Sequence, residues 1–358
     1  MLVSFIELVY LFFISTSTLF ILRKVAKKVG LVDKPNIRKQ HQGDIPLVGG
    51  IAICVCITFF LFSNPTIIPN IGIFTVCLIS LVIVGAIDDK LDISFKIRFV
   101  TQAGISVVMM SVGKVELLTL GNILGFGEIT LGAFGYIVTI LAVVGAINAF
   151  NMIDGVDGLL GGISIISFGS LGIMLLLDGQ KDLSYLCLVL VVIIVPYLCF
   201  NLGILGIKRK VFMGDAGSML IGFTIIWLLL LSSQNGKAPP LRPVTALWLI
   251  AIPLMDMASI MIRRVRRGVS PFKPDREHLH HVCQKLGLTT TQTALIIFSF
   301  AIFCATYGIV GELLNISEPL MFYTFIVLFF IYNLVLKYIC KKTEVKKNYK
   351  SKNVHANL

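Results

Sequence analysis

Long apolar runs alternate with short polar segments along almost the whole chain. An apolar window of about 20 residues is long enough to cross the hydrocarbon core of a bilayer as a helix. Such windows predict eleven transmembrane helices, near 3–22, 46–62, 71–87, 99–113, 133–150, 159–177, 185–206, 211–232, 243–262, 292–311 and 319–339. The first window lacks a small-residue cleavage pattern, so we expect it to remain as a span. The pattern predicts an all-α, polytopic membrane protein.

Composition and charge agree with this pattern and add an orientation. With 56% hydrophobic and only 14% charged residues, the chain lies outside the range of soluble domains. If the N-terminus is outside, the cytoplasmic segments hold 27 of the 31 Lys and Arg residues. The positive-inside rule therefore predicts an outside N-terminus and a cytoplasmic C-terminus. The net charge of +12 then reflects topology, and we expect no nucleic-acid partner.

No linker or repeat divides the sequence, so we expect one integral-membrane domain over residues 1–358. It would include a cytoplasmic histidine-containing loop at about 263–291. The basic tail, about 341–358, is predicted to be solvated and disordered.

Two adjacent acids, Asp88 and Asp89, end the third apolar run in the segment GAIDDKLDIS. Neighbouring carboxylates repel each other, and near a hydrocarbon boundary they need a cation or a shared proton. A solvated helix end with Lys90 and Lys96 nearby is the simpler alternative. We favour a functional site, because Arg98 also suits phosphate.

Four oxygen-bearing side chains follow in AINAFNMIDGVDGLLGG, namely Asn148, Asn151, Asp154 and Asp157. Their three-residue spacing places them near one face of a helix. Oxygen ligands of this kind favour Mg²⁺ or Mn²⁺ over zinc. Helix capping is the alternative, but capping requires one such residue rather than four.

Two further motifs belong to the same predicted cytoplasmic face. Asp215, in VFMGDAGS, either caps the following helix or faces a metal-bound phosphate. His278, His280 and His281 crowd together at the end of RRVRRGVSPFKPDREHLHH. Histidine and arginine can donate to phosphate oxygens, whereas a zinc motif such as HExxH is missing from the sequence. The leading arginines of this segment are expected to anchor the topology.

Asp256 lies inside the ninth apolar run, where a charge is costly. Arg263 and Arg264 follow seven and eight residues later on the same helical face, so the sequence predicts an ion-pair network.

Together, these motifs resemble those of the polyprenyl-phosphate N-acetylhexosamine-1-phosphate transferases. The resemblance covers essentially the whole chain, with IPLVGG, IDDKLDIS, NAFNMIDGVDGL, VFMGDAGS and DREHLHH in the order of the family. Within the family, the HLHH ending is similar to the WecA branch. That branch moves N-acetylglucosamine-1-phosphate from UDP-GlcNAc to undecaprenyl phosphate and releases UMP.

The resemblance implies roles for individual residues. The acids implied in catalysis are Asp88, Asp89, Asp154 and Asp157. The positions implied to bind Mg²⁺ or Mn²⁺ are Asn151 and Asp215. The positions implied to bind substrate are Arg98 for phosphate, Asn201 and Phe212 for uracil, and Arg276, His278, His280 and His281 for the sugar phosphate.

The resemblance also implies a bacterial inner-membrane enzyme that begins a lipid-linked glycan of the O-antigen or common-antigen type. Its active site would face the cytoplasm. The oligomeric state is left open, with a homo-oligomer as one alternative. Another UDP-N-acetylhexosamine remains an alternative donor. The alternative from a different class is a transporter of an anionic solute, since acids within the membrane and Gly-interrupted helices also mark transport sites.

Overall fold

The computed structural model describes residues 2–35, 43–234, 239–270 and 278–355, with side chains between Ser4 and Lys342. The predicted site residue Arg276 lies outside these ranges. The helices are α1 Leu2–Val29, α2 Gly49–Ser63, α3 Ile71–Leu91, α4 Phe95–Ser111, α5 Phe134–Ile153, α6 Leu159–Leu177, α7 Lys181–Asn201, α8 Gly214–Gln234, α9 Pro243–Leu249, α10 Ala251–Arg266, α11 Leu279–Lys285, α12 Thr290–Leu313 and α13 Glu318–His355.

Every apolar run that the sequence identified is helical in the structure. Among the described residues, eight helices are long and apolar enough to cross a membrane, and the bent pair α9 and α10 raises this number to nine at most. The other two predicted spans correspond to shorter helices, α2 with 15 residues and α4 with 17. The chain is thus a mostly α-helical, polytopic membrane protein, and the count of eleven spans stays a prediction.

The ninth apolar run contains a bend that the sequence analysis did not predict. Helices α9 and α10 meet at 83°. Pro253 has no N–H to donate to the carbonyl of Leu249, and its ring crowds that carbonyl. The Leu249 oxygen accepts a hydrogen bond of 3.0 Å from Ser167 Oγ on α6 instead. The freed carbonyl is therefore satisfied inside the protein, as a membrane environment requires.

The C-terminal segment differs from the prediction as well. The backbone of α13 continues as a helix to His355, although the sequence predicted a disordered tail from about 341. Lys and Glu have high helix propensity, and the segment extends a helix that is already formed, so no new nucleation is needed.

Helix α8 forms the centre of the molecule. The apolar stretch of α8 that is long enough to span a membrane is fully buried, and the helix packs mainly against α3 and α5. Glycines allow this close packing: a Cβ at Gly222 would lie 2.6 Å from the Ile147 Cα. Small residues of this kind bring membrane helices into direct backbone contact. The position of α8 fixes the residues at its N-terminus relative to α3 and α5.

Two short motifs are joined beside the start of α8. A two-residue antiparallel ladder pairs β1, Val32–Asp33, with β2, Ile45–Pro46. The backbone N–H of Phe212 donates to the Pro46 carbonyl at 2.9 Å, and the Gly49 N–H donates to the Phe212 carbonyl at 2.9 Å. The IPLVGG segment therefore supports the VFMGD segment that leads into α8.

We predict that Gly222→Ala destabilises the protein by roughly 1–3 kcal/mol, because the new methyl group would meet the α5 backbone. Gly169→Ala on α6 is the matched control, since a Cβ there meets nothing within 4 Å. The midpoint of thermal unfolding in detergent would be measured by size-exclusion chromatography. Equal midpoints for the two variants would contradict the packing described for α8.

Candidate active site

The N-terminus of α8 binds a carboxylate from another helix. Asp89, near the end of α3, accepts the Asp215 N–H at 2.7 Å and the Ala216 N–H at 3.3 Å. These N–H groups have no partner within α8, and the positive end of the helix dipole favours the negative charge. Gly214 has φ +75°, and a Cβ at this position would collide with the Asp89 carboxylate. The glycine before Asp215 is therefore required by both conformation and space.

Asp215 is the centre of the polar cluster. Its Oδ1 accepts a hydrogen bond of 2.5 Å from Asn151 Nδ2, and its Oδ2 lies 3.4 Å from Arg98 Nη1. The same guanidinium donates to the buried carboxylate of Asp88 at 2.7 Å. Ser218, one turn into α8, accepts a second hydrogen bond from Asn151 at 2.8 Å. Residues from α3, α4, α5 and α8 thus meet at one point.

The cluster has more negative than positive charge. Asp88 and Asp215 share the guanidinium of Arg98, whereas Asp89 is bound by the N–H groups at the start of α8. Asp154, in the loop after α5, opens onto a cavity beside them. Although Asp154 is accessible from the cavity, the desolvation caused by the surrounding protein, followed by the charges of Asp215, Asp89 and Asp157, raises the pKa of its carboxyl well above its ordinary value. A cation bound here would relieve this repulsion.

The residues fit a divalent cation through their chemistry and charge rather than through a ready coordination shell. Asn151 and Asp215 supply oxygen atoms, which Mg²⁺ and Mn²⁺ prefer. In the described part of the chain, no group of three His, Cys, Asp or Glu side chains is close enough to hold a metal. Side chains would have to rearrange on binding, and the metal role of Asn151 and Asp215 stays a prediction.

The cavity has a volume of about 550 Å³ and three kinds of wall. Polar groups of the cluster line one part of it, and His278, His280 and His281 line another. The apolar part is formed by Phe95, Phe99, Met257 and Met261. Polar and apolar walls in one cavity suit a substrate pair in which one partner is a lipid phosphate.

The three predicted histidines lie together. His280 packs against the loop after α5 that carries Asp154 and Asp157, here called the acidic loop. Its ring contacts Gly155, next to Asp154, so closely that a Cβ there would collide with it. Burial, followed by its neighbours His281 and His278, lowers the pKa of His280 to about 3. This environment favours the neutral form of His280 near pH 7, and its role in binding the sugar phosphate stays a prediction.

Five predicted site residues within the described ranges do not line this cavity: Asp88 and Asp89, which lie behind it in the cluster, and Asp157, Asn201 and Phe212. Asp157 forms an ion pair of 2.5 Å with Lys210, whose ammonium lies 5.4 Å from the centroid of the Phe212 ring. Asn201 is buried; its Oδ1 accepts the Gly158 N–H at 2.5 Å, and its Nδ2 donates to the Val211 carbonyl at 2.9 Å. Asn201 thus joins the acidic loop to the segment before α8, and uracil contacts by Asn201 and Phe212 stay predictions.

Sequence reasoning missed several contributors to the site. Lys210 was not among the predicted site residues, and Arg264 was expected to anchor the topology and to pair with Asp256, yet Arg264 is 5% exposed and lines the cavity. Gln102 pairs with Asn148 at 2.8 Å, one helical turn from Arg98 and from Asn151. Its position inside an apolar window was the only signal that could have indicated this pairing.

Comparison with known proteins identifies the family. A model described as glycosyl transferase family 4 matches residues 71–233. A protein of Yersinia pestis is 49% identical over 357 residues, which is 98% of this chain and 97% of the relative. Relatives from Escherichia coli K12 and Pasteurella multocida are 49% and 53% identical, over 92% and 88% of this chain and 90% and 88% of their own lengths.

All three relatives are named undecaprenyl-phosphate alpha-N-acetylglucosaminyl 1-phosphate transferase. The family model covers α3 to most of α8, and the match to the Yersinia pestis relative extends over 98% of this chain. The resemblance inferred from the motifs is confirmed, and the chain belongs to the family of polyprenyl-phosphate N-acetylhexosamine-1-phosphate transferases.

Proposed function

We propose that this protein transfers N-acetylglucosamine-1-phosphate from UDP-GlcNAc to undecaprenyl phosphate and releases UMP. The observation that carries the proposal is the Asp215, Asn151 and Arg98 cluster in a cavity that also has an apolar wall. High identity to transferases named for this reaction supports the same choice. The acceptor phosphate would approach the cluster while its polyprenyl chain stays in lipid.

Both substrates are anions, so their repulsion is the main barrier to contact. A Mg²⁺ ion held by Asn151 and Asp215 would offset that repulsion and stabilise the UMP leaving group. Arg98, released from part of its contact with the acids, can bind a phosphate oxygen. A phosphate monoester has its second pKa near 6, so the acceptor is largely dianionic and needs no strong base. Asp88 therefore orients Arg98, and Asp89 fixes the start of α8.

The proposal includes the topology. Eleven spans, an outside N-terminus and a cytoplasmic C-terminus would place the cluster on the cytoplasmic face of the bacterial inner membrane, where nucleotide sugars are available. The positions of the basic residues support this orientation. The product would begin synthesis of a lipid-linked glycan.

Two alternatives remain distinguishable. A different UDP-N-acetylhexosamine would use the same cluster, and a panel of UDP-sugars would identify it. For a transporter of anions, we would expect a polar path through the molecule, yet the central helix α8 is buried and mainly apolar.

To test the proposed function, UMP release by the purified protein would be measured. We expect release only when both polyprenyl phosphate and Mg²⁺ are present. Solute flux into vesicles without UMP would overturn the proposal.

We predict that Asp215→Asn lowers kcat for UMP release by about 10²–10³-fold, because it removes the charge shared by Arg98 and Asn151. Asp182→Asn, which alters an exposed acid in the first turn of α7, is the control and should retain wild-type activity. An active Asp215→Asn enzyme would exclude a central role for this carboxylate.

The raised pKa of Asp154 predicts a pH-dependent requirement for Mg²⁺. At lower pH the carboxyl keeps its proton and cannot offset a cation, whereas at higher pH it is ionised. The Mg²⁺ concentration for half-maximal activity should therefore decrease as the pH rises from about 6 to about 8.5. Asp154→Asn should weaken this dependence, whereas titration of the acceptor phosphate affects both enzymes equally. An identical slope in the variant would contradict the prediction.

A further inference from the structure

A buried carboxylate outside the acidic cluster binds three donors. Asp256 on α10 is 1% exposed. Its Oδ1 accepts the Leu279 N–H at 3.0 Å and the Tyr332 hydroxyl at 2.9 Å, while its Oδ2 lies 2.9 Å from His278 Nδ1. The sequence suggested Arg263 and Arg264 as its ion-pair partners, but the contacts that the structure shows join α10 to the start of α11 and to α13.

This arrangement selects one tautomer of His278. Because an ionised carboxylate only accepts hydrogen bonds, the Nδ1 atom that faces Asp256 must carry a proton. In the neutral ring the other nitrogen, Nε2, then accepts hydrogen bonds, so it is available to a hydroxyl or amide N–H group of a ligand in the cavity that His278 lines. A carboxylate that holds the far nitrogen of a functional imidazole fixes both its orientation and its tautomer.

The imidazoles connect Asp256 to the acidic loop. The rings of His278 and His280 are stacked, with centroids 5.5 Å apart and planes at 9°. The His280 ring in turn packs against Gly155, beside Asp154. A change in the His278 orientation would therefore also disturb the packing beside the acids.

We propose that Asp256 and Tyr332 are positioning residues, which hold His278 with Nε2 directed at the UDP-sugar donor. The inference rests on the proposed function. The donor is the expected ligand because His278 and α11 lie outside the apolar spans, at the face that the proposed topology assigns to the cytoplasm. The polyprenyl chain of the acceptor would instead lie against the apolar wall of the cavity. Tyr332 orients the carboxylate by occupying Oδ1, so that Oδ2 is left to the histidine.

Asp256→Asn tests the tautomer directly. The single amide oxygen can accept from Leu279 and Tyr332, but the amide NH₂ group would then face His278 Nδ1. That nitrogen would have to become an acceptor, which moves its proton to Nε2 and reverses the hydrogen bonding offered to the donor. Loss of a partner that orients an active-site group typically costs about 10–100-fold in activity.

In the purified full chain, we expect Asp256→Asn to lower kcat/KM for UDP-GlcNAc by about 10–100-fold. The KM for undecaprenyl phosphate should stay within about twofold of wild type. Tyr332→Phe removes one donor to Oδ1 but leaves the bond between Asp256 and His278, so it should cost less, about fivefold in the same parameter. Combining Asp256→Asn with His278→Ala should cost little more than His278→Ala alone, because Asp256 acts through His278.

Ser259→Ala is the matched control. Ser259 Oγ donates to Asn333 Oδ1 at 2.7 Å, so this pair also joins α10 to α13. Among the contacts that the structure shows, none joins this pair to the histidines. If α10–α13 contacts matter only for stability, Ser259→Ala and Tyr332→Phe should reduce activity equally, which would overturn the proposal. Wild-type kcat/KM in Asp256→Asn, or additive losses in the double variant, would do the same.

A wild-type protein that releases no UMP would instead overturn the proposed function, and the positioning roles with it. Monodisperse elution and an unchanged unfolding midpoint establish that each variant is folded. If Asp256→Asn does not fold, the comparison of Tyr332→Phe with Ser259→Ala still decides the proposal.

Discussion

The first turn of α8 is the point on which the rest of the site depends. Two of its N–H groups hold Asp89, and its own Asp215 contacts Arg98 and Asn151. Because α8 is buried on all sides, this turn cannot move without repacking α3 and α5. The acids are therefore held close together in spite of their mutual repulsion, which a bound cation would relieve.

Apolar patterning was sufficient to predict the helices, because a bilayer requires helices that satisfy their own backbone hydrogen bonds. The bend between α9 and α10 was harder to predict. Pro253 signals a weakness in the helix, but the 83° bend also depends on Ser167, from a helix distant in sequence. The extension of α13 is a similar case. The basic composition of its last residues predicted disorder, but these residues continue a helix that is already formed.

The candidate site was predicted in part. Asp88, Asp215, Asn151 and Arg98 do converge, since each belongs to a motif at the same predicted end of a span. The partners of Asp157 and Asp256 could not be read from sequence spacing, because Lys210, His278 and Tyr332 reach them from other elements. His280 is a further case: its residue type indicates phosphate binding, whereas its burial, which sequence spacing does not show, favours the neutral ring. Tertiary contacts decide which polar residues face substrate and which hold the walls.

The proposed reaction is direct transfer between two substrates held at the Asp215 cluster. It can be followed with a radiolabelled β-phosphate of UDP-GlcNAc during incubation of the purified protein with undecaprenyl phosphate and Mg²⁺. We expect all transferred label to enter the lipid diphosphate product, in step with release of unlabelled UMP, and none to be retained on the protein. Label trapped on the protein, or UMP released without the lipid acceptor, would contradict direct transfer.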